Sequence, residues 1–226
     1  KMFINLLIFL FFDYFLFIET TKINCQHNIK QSELNCRGSQ IEKFYNLTFF
    51  PKVLRLIAER NQIKEIPEFT FENYSQLLFL NVRFNEIDSL TKGCFFGLNN
   101  LRELFLSSNK LKIIKKHLFL FMPYLEKLNL RFNHIFIIED ESFYGIKYLK
   151  ELDLYGNKLK NLENYPFYEI SNLNALLDLS FNSIESIKKD NLFKLNNLLK
   201  IDLSYNKLSL ISKDTFYWTS NLENIR

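Results

Sequence analysis

Few side chains in this 226-residue sequence have the types and spacing that catalysis or metal binding requires. The three histidines, His27, His117 and His134, lie far apart, and none has a partner at the spacing of a metal site. The sequence contains no glycine-rich phosphate loop, no zinc-binding pattern and no nucleophile elbow. We therefore predict a protein that is not an enzyme and that uses no metal or other cofactor.

Asp153, Asp178 and Asp202 are the strongest remaining candidates for metal chemistry, because they recur at separations of 25 and 24 residues. If they occupied the same place in successive coils, their carboxylates would form a ladder that could hold a cation. Each aspartate, however, lies between two apolar residues in the most regular part of the sequence. Solvated surface carboxylates are the simpler interpretation.

The regular spacing of these aspartates reflects a repeat that organises most of the chain. From Leu125 to Ile146 the sequence follows the pattern Leu-x-x-Leu-x-Leu-x-x-Asn-x-Ile-x-x-Ile, with a phenylalanine five residues after the last of these. The pattern returns 24 residues earlier and 24 residues later. One step is 25 residues, and its extra residue falls near Asn172 to Asn174. The repeated asparagines are Asn61, Asn85, Asn109, Asn133, Asn157, Asn182 and Asn206.

This repeat predicts a solenoid whose coils stack and share one apolar core. The two leucines of each Leu-x-Leu segment point inward and the residue between them points outward, as in a short β-strand. The asparagine would turn the chain away from the sheet, its amide serving backbone groups of its own and adjoining coils. A phenylalanine ten positions later would build an aromatic spine on the opposite side, except that Leu192 replaces it in the sixth repeat. The spine residues are Phe71, Phe95, Phe119, Phe143, Phe167 and Phe216.

A 24-residue period with this late phenylalanine resembles the typical leucine-rich repeat of Toll-like receptors, Slit, chaoptin-like and other secreted or cell-surface proteins. The resemblance covers residues 25 to 226. It implies an α/β fold, a horseshoe-shaped leucine-rich repeat solenoid with a parallel β-sheet on the concave face and a mostly irregular or short-helical convex side. We assign seven repeats and a truncated eighth to residues 51–226. The resemblance implies that the protein binds a ligand but does not identify it.

The first residues predict export from the cell. Residues 2–18 are nearly all apolar, which suits the core of a signal peptide better than a membrane span of about 20 residues. We predict a signal peptide over residues 1–21, with a retained signal anchor as the alternative. Lys1 precedes Met2, and the eighth repeat breaks off at Arg226 with no cysteine-containing C-terminal cap. We therefore expect the chain to be a fragment, whose open end would expose Leu203, Leu208, Ile211 and Phe216.

Cys25 and Cys36 lie just after the predicted signal peptide. Two cysteines in this position indicate a disulfide in an oxidising compartment, and two free thiols are the alternative. Residues 36–44 resemble the cysteine-rich N-terminal cap of extracellular leucine-rich repeat proteins, although that cap usually has four cysteines. We therefore assign a reduced cap to residues 22–50. Cys94 precedes Phe95 at a position that is usually small or apolar, which predicts a buried thiol.

Two N-glycosylation sequons, at Asn46 and Asn73, also fit an exported protein. One lies in the predicted cap and the other on the predicted convex side. Such triplets also arise by chance in a chain rich in asparagine. Their placement would leave the inner sheet free of glycan, and we expect the protein to be secreted or to lie at the cell surface.

The outward-facing strand positions form the predicted binding surface. Aromatic and basic residues cluster at these positions in the second to fourth repeats, whereas the later repeats keep the regular aspartates and serines. Exposed aromatics interleaved with arginine are favoured at protein interfaces. The alternative is that these side chains merely cover neighbouring strands. The predicted binding residues are Phe79, Arg83, Phe84, Phe105, Lys127, Arg131 and Phe132.

We hypothesise an extracellular protein-binding module of the adhesion, guidance or matrix type, with a protein ligand on the concave face. The alternative is a ligand-binding ectodomain fragment of a Toll-like innate immune receptor. A cytosolic scaffold fits poorly, because the export signal, the cysteine pair and the repeat period all oppose it. The net charge of +4 is mild and its cations are scattered, so we expect no nucleic-acid partner. We expect contact with a membrane only through a C-terminal anchor missing from this chain.

Overall fold

The chain forms stacked coils that each contribute one short strand to a long sheet. The computed structural model describes residues 25–44, 52–163 and 165–226. Its strands are β1 (Gln26–Asn28), β2 (Glu33–Asn35), β3 (Arg55–Ile57), β4 (Phe79–Asn81), β5 (Glu103–Phe105), β6 (Ile113–Ile114), β7 (Lys127–Asn129), β8 (Ile137–Ile138), β9 (Glu151–Asp153), β10 (Leu176–Asp178), β11 (Ser186–Ile187), β12 (Lys200–Asp202), β13 (Leu210–Ile211) and β14 (Asn224–Ile225).

The main sheet has ten strands in the order β1-β2-β3-β4-β5-β7-β9-β10-β12-β14. All its pairs are parallel except β1 with β2, and equivalent repeat positions face each other, as Leu104 faces Leu128 and Leu128 faces Leu152. Two small parallel sheets, β6 with β8 and β11 with β13, follow the turns. The described helices are short 3-10 segments at Ile29–Gln31, Tyr168–Ile170 and Lys189–Leu192. The predicted solenoid with a parallel sheet and few helices is confirmed.

The apolar positions of the repeat form one continuous core. Leu125, Leu128 and Leu130 are fully buried, as are their equivalents in neighbouring coils. The aromatic spine is also present: the rings of Phe95 and Phe119 are stacked with centroids 6.3 Å apart, and the ring of Phe143 follows at 5.9 Å. Leu192 takes the spine position in the sixth repeat and is fully buried. Stacking identical positions buries a core that no single coil could bury alone.

The N-terminal segment closes one edge of the sheet with a hairpin. β1 runs antiparallel to β2, and β2 continues the parallel sheet into β3. Cys25 and Cys36 form a disulfide across the base of this hairpin, as predicted. Leu34 and Phe44 are buried and extend the core into this segment. The hairpin therefore covers the sheet edge that the first repeat would otherwise present to solvent, with β2 paired to β3 and β1 outermost.

At the other end, β14 pairs with β12 and begins an eighth coil. The prediction that Leu203 would be exposed is wrong: its side chain is 6% exposed, and its backbone N–H donates to the carbonyl of Arg226. Leu208 and Phe216 are partly buried against the core, whereas Ile211 is exposed as expected. The started eighth strand pairs along the edge of β12 and helps to bury Leu203, whereas Ile211 lies beyond the turn and stays exposed.

The single 25-residue step is accommodated just before β10. In a regular coil the last core residue before the strand and the core residue within it are three positions apart, as with Leu125 and Leu128 of β7. Leu173 and Leu177 are four apart, and both are fully buried. The extra residue is therefore extruded between them, and the sheet and the core keep their register.

Candidate binding surface on the concave sheet

The turn that ends each strand is fixed by its asparagine. The Nδ2 of Asn133 donates to the carbonyls of Leu130 in its own coil and Leu106 in the preceding coil, both at 3.0 Å. Its Oδ1 accepts the backbone N–H of Leu111 at 3.1 Å. Each of the seven repeated asparagines makes an equivalent set of bonds to the coil before it. The prediction that this amide serves its own and an adjoining coil is confirmed.

The residue before each asparagine adopts a left-handed backbone conformation, with φ between 51° and 67°. This conformation is unfavourable for side chains other than glycine, and here the asparagine bonds hold it in place. It directs bulky side chains outward at the end of the strand: Phe84 is 45% exposed and Phe132 is 53% exposed. The sequence alone does not indicate this conformation, since only Gly156 among the seven residues favours it. The seven residues are Arg60, Phe84, Ser108, Phe132, Gly156, Phe181 and Tyr205.

Two of the predicted phenylalanines form an aromatic centre in the second and third repeats. The ring centroids of Phe79 and Phe105 are 5.2 Å apart. The guanidinium of Arg55 lies 3.8 Å from the ring centroid of Phe79, and that of Arg83 lies 5.6 Å from the ring centroid of Phe105. These contacts are within the range of cation–π attraction. Arg55, which the sequence analysis did not select, therefore belongs to this group.

Glu59 anchors the charges around this aromatic centre. Its carboxylate is bonded to Arg83 at 3.0 Å, Arg37 at 3.3 Å and the Nδ2 of Asn81 at 2.8 Å. Burial alone would raise the pKa of Glu59, but the hydrogen bonds from Asn81 and Arg83 and the two positive charges outweigh it and hold the pKa below its usual value. Glu59 thus stays ionised and fixes the position of the Arg83 guanidinium.

A second group is centred on Arg131 in the fourth repeat. Its guanidinium pairs with Asp153 at 3.3 Å and lies 4.1 Å from the ring centroid of Tyr155 and 5.7 Å from that of Phe132. Burial raises the pKa of Asp153 to about 6, and the charge of Asp178 adds to this effect. The backbone N–H of Tyr155 and the charge of Arg131 act in the opposite direction without cancelling it.

An aromatic row continues from Phe132 into the last repeats. The ring centroids are 5.0 Å apart from Phe132 to Tyr155, 4.8 Å from Tyr155 to Phe181 and 4.1 Å from Phe181 to Tyr205. Phe181 is 43% exposed and Tyr205 is 73% exposed. Tyr155, Phe181 and Tyr205 were not among the predicted binding residues, although Phe181 and Tyr205 share the repeat position of Phe84 and Phe132.

The structure therefore divides the seven predicted binding residues. Phe79, Phe105 and Arg83 form one group and Arg131 and Phe132 the other. Between the two groups, the third repeat has Ser107 at the repeat position of Arg83 and Arg131, and Ser108 at that of Phe84 and Phe132. Phe84 stands at the edge with the guanidinium of Arg60 4.8 Å from its ring centroid, and Lys127 pairs with Glu151 at 2.6 Å. All seven lie on one sheet face or its rim.

The aspartates of the ladder are occupied by local bonds. The Oδ1 of Asp178 accepts the N–H and hydroxyl of Ser180 at 2.9 and 2.6 Å, and Asp202 holds Ser204 in the same way at 3.0 and 2.6 Å. Within the described ranges no group of three or more His, Cys, Asp or Glu side chains is placed to hold a metal ion. These bonds brace the end of the strand. The prediction of solvated surface carboxylates is wrong for Asp178, which is 9% exposed, and burial also raises the pKa of Asp153.

The remaining candidate residues lie away from the sheet. Cys94 is fully buried, and burial raises the pKa of its thiol well above the usual value, so the thiol does not act as a nucleophile. Asn73 is exposed on the convex side. Asn46 and the predicted signal peptide lie outside the described residues. No helix in the described part of the chain has the length and apolar character needed to cross a bilayer.

Comparison with known proteins identifies the class to which this solenoid belongs. The chain is a member of the leucine rich repeat family, which matches residues 51–111, 79–135, 123–177 and 175–226. No curated protein gives a significant sequence match. Members of this family are generally non-catalytic binding modules, and no feature of the described residues points to an enzyme.

Two solved structures share this architecture. The chain is similar to TLR13 in a TLR13–ssRNA13 complex, with 28% identity and a TM-score of 0.76 over 81% of this chain and 26% of that one. It is also similar to an internalin, InlF, from Listeria monocytogenes, with 18% identity and a TM-score of 0.64 over 84% of this chain and 52% of that one. The internalin match supports the fold alone. The chain spans less than two thirds of either protein.

Proposed function

We propose that the chain is an extracellular module that binds a protein ligand through its concave sheet, in an adhesion, guidance or matrix role. The observation that carries this proposal is the pair of aromatic and arginine groups on one face. Aromatic and arginine side chains are the residues that most often dominate binding energy at interfaces. Here the arginines are already held by Glu59 and Asp153, so little conformational entropy is lost when a partner docks.

The proposal includes a division of the chain into a signal peptide over residues 1–21, a cap over residues 22–50 and repeats over residues 51–226. The disulfide between Cys25 and Cys36 supports an oxidising compartment. The exposed sequon at Asn73 would place a glycan on the convex side, away from the sheet. In secretory expression, a band shift on endoglycosidase treatment that is reduced by Asn73→Gln supports this assignment. A chain retained in the cytosol with unmodified sequons would contradict it.

The concave surface is tested by replacing Phe84, Arg131 and Phe132 together with alanine. The full chain, expressed in secretory cells, is screened against a library of extracellular proteins, and the partner recovered is measured against the triple variant. We expect binding to be lost because all three side chains are exposed or half-exposed on the same face. Tyr144→Ala, an exposed ring on the convex side, is the matched control. Unchanged affinity in the triple variant would show that the partner does not bind this face.

The alternative function is a ligand-binding ectodomain fragment of a Toll-like innate immune receptor, and the similarity to TLR13 supports it. That protein was solved with a single-stranded RNA, so RNA is a direct test of our proposal that this chain takes no nucleic acid. Asp153, Asp178 and Asp202 lie beside the aromatic row and oppose a phosphate backbone. Salt-dependent binding of a short single-stranded RNA that Arg131→Ala weakens would favour the receptor alternative.

A further inference from the structure

A pocket lined by polar, charged and aromatic side chains opens on the side of the solenoid where the chain enters the sheet. Its volume is about 560 Å³, within the range of small-molecule binding sites. Its walls come from residues that shortly precede β5, β7, β9, β10 and β12. The pocket is therefore separate from the concave face, and the inference below does not depend on the function proposed for that face.

The only irregular repeat length in the array coincides with this pocket. The extra residue lies between Leu173 and Leu177, and Asn174, within this insertion, lines the pocket. The carbonyl of Asn174 accepts the N–H of Leu199 at 3.0 Å, while the N–H of Ala175 reaches back to the carbonyl of Lys150 at 2.9 Å. In a regular coil one residue makes both bonds, as Lys150 donates to Glu126 and accepts from Ala175. Here Ala175 donates and Asn174 accepts. The insertion therefore changes the backbone bonding of the solenoid beside the pocket.

Two tyrosines form the aromatic wall of the pocket. The rings of Tyr124 and Tyr148 are nearly parallel, with centroids 5.9 Å apart and an interplanar angle of 15°. The guanidinium of Arg102 lies 5.4 Å from the ring centroid of Tyr124. Tyr148 is 54% exposed, against 43% for Tyr124. An exposed ring of this kind offers a flat apolar surface with a hydroxyl at its edge.

A fixed charge network supports these rings. Glu126 pairs with Arg102 and with Lys150, each at 2.6 Å. The hydrogen bond from Lys150 is the main cause that holds the pKa of Glu126 below its usual value, and Arg102 adds to it. The carboxylate therefore stays ionised and neutralises part of the positive charge. The network carries one net positive charge, which is too little to hold the phosphates of a nucleotide chain. Its Lys and Arg N–H groups can still donate hydrogen bonds to hydroxyl or carboxylate groups of a ligand.

Three asparagine side chains line the rest of the pocket, and two of them, Asn172 and Asn197, continue the row of Tyr124 and Tyr148 at the same repeat position. Asn172 donates one N–H to the carbonyl of Lys147 at 3.1 Å, which orients its amide. Asn174 and Asn197 are exposed at the pocket. Each amide offers donors and an acceptor in one plane. Planar amides and carboxylates match the paired hydroxyl groups of a pyranose ring, while aromatic rings match its C–H face.

We propose that this pocket binds a pyranose unit of a glycan, with its C–H face on Tyr148 and its hydroxyls on Asn172, Asn174 and Asn197. An apolar peptide fits less well, because every wall except the tyrosines is polar or charged. Glu126 and Lys150 meet hydroxyls at the rim. A neutral glycan and an acidic one share this chemistry. An acidic glycan would in addition place its carboxylate against the exposed cationic groups of Lys150 and Arg102.

The test uses the full chain, freed of its own N-glycans by endoglycosidase, in calorimetric titrations with defined oligosaccharides. The neutral probes are chitotriose, cellotriose and mannotriose, and the acidic probe is a hyaluronan tetrasaccharide. Binding of a neutral probe or of the acidic probe assigns the glycan class. We expect Tyr148→Ala to weaken the bound probe about tenfold and Asn174→Ala to weaken it roughly three- to tenfold.

Asn100→Ala is the matched control for Asn172→Ala. Asn100 occupies the equivalent repeat position and donates to the carbonyl of Ser75 at 2.8 Å, as Asn172 does to Lys147, but it does not line the pocket. Asn172→Ala should weaken binding and Asn100→Ala should not. Deleting Ala175 restores a 24-residue coil and should abolish binding; the point variants decide the matter if this deletion unfolds the chain. Failure of all probes to bind, or equal binding by wild type and Tyr148→Ala, would overturn the proposal.

Discussion

The ring of Phe132 lies over Gly156: a β-carbon built on Gly156 would be 2.9 Å from the Cδ1 of Phe132. Gly156 occupies the position of Phe132 one coil later, and its φ of 67° lies in the left-handed region shared by all seven residues at that position. The absence of a side chain at Gly156 lets the Phe132 ring lie across the coil boundary. There it meets the ring of Tyr155 at a centroid distance of 5.0 Å and extends the aromatic row.

We predict that Gly156→Ala destabilises the protein by about 1–2 kcal/mol, since alanine is strained at positive φ and its methyl group collides with Phe132. In the double variant Gly156→Ala/Phe132→Ala the collision is absent. The two substitutions should therefore be non-additive by about 0.5–1 kcal/mol, as expected for residues in contact. Urea unfolding of the two single variants and the double variant measures this coupling. Strict additivity would mean that the ring does not rest on Gly156.

The asparagine turns give a second prediction. Asn133→Ala leaves the carbonyls of Leu106 and Leu130 and the N–H of Leu111 without their partner, and unpaired buried groups cost about 1–3 kcal/mol. Leu130→Ala opens a cavity in the shared core and should cost about 2–5 kcal/mol. Lys115→Ala, on an exposed side chain, should stay within about 0.5 kcal/mol. Urea melts that rank Lys115→Ala beside Leu130→Ala would contradict the repeat phasing.

Much of this fold can be predicted from the sequence because its cause is periodic. Leu128, Asn133 and Phe143 recur at fixed spacing, and each position has one role in every coil: core, turn amide or spine. The binding surface is less predictable, because it depends on contacts between coils that the spacing does not reveal. The left-handed turn at Phe132 depends on the side-chain amide of Asn133, whose Nδ2 donates to the carbonyl of Arg131.

The extra residue of the 25-residue step also shows how far the sequence alone can predict the structure. Its approximate place could be predicted from the distance between Asn157 and Asn182. The pocket beside it could not, because it depends on side chains from successive coils, with Tyr124 and Tyr148 contributed by the two coils before the insertion. These tyrosines and the asparagine at Asn172 occupy a repeat position that is neither core nor strand. In the sequence such positions look like variable surface residues. They form a pocket only because stacking of the coils brings them together.

A third prediction concerns the N-terminal hairpin. Replacing Cys25 and Cys36 together with serine removes a cross-link between residues 11 apart in sequence. Such a short loop restricts the unfolded chain enough to contribute about 2–3 kcal/mol. The double variant should lose that much stability, with hydrogen exchange faster in β1 and β2 than in β7. Alkylation of both thiols in the unreduced wild-type protein, found by peptide mapping, would show that the bridge is absent.

The last prediction is a pH dependence that originates at Asp153. Its pKa of about 6 in the folded protein lies above the value of about 3.9 in an unfolded chain, because burial disfavours the carboxylate. The folded state therefore favours the protonated form. This contribution to stability is fully present below about pH 4 and is lost as the pH rises through about 6.

Asp153→Asn should remove this loss. Asparagine is already found at the equivalent position of the second and fourth repeats, where the Oδ1 of Asn81 accepts the N–H of Arg83 at 3.1 Å and that of Asn129 accepts the N–H of Arg131 at 3.2 Å. The variant can therefore keep the bond that Asp153 accepts from Tyr155. Relative to wild type, its free energy of unfolding should rise by about 1–3 kcal/mol between pH 4 and pH 7. The attraction of Arg131 is already included in the pKa of Asp153. Urea unfolding at half-unit steps across this range measures the difference, and a difference that stays flat, or falls as the pH rises, would show that burial does not dominate at Asp153.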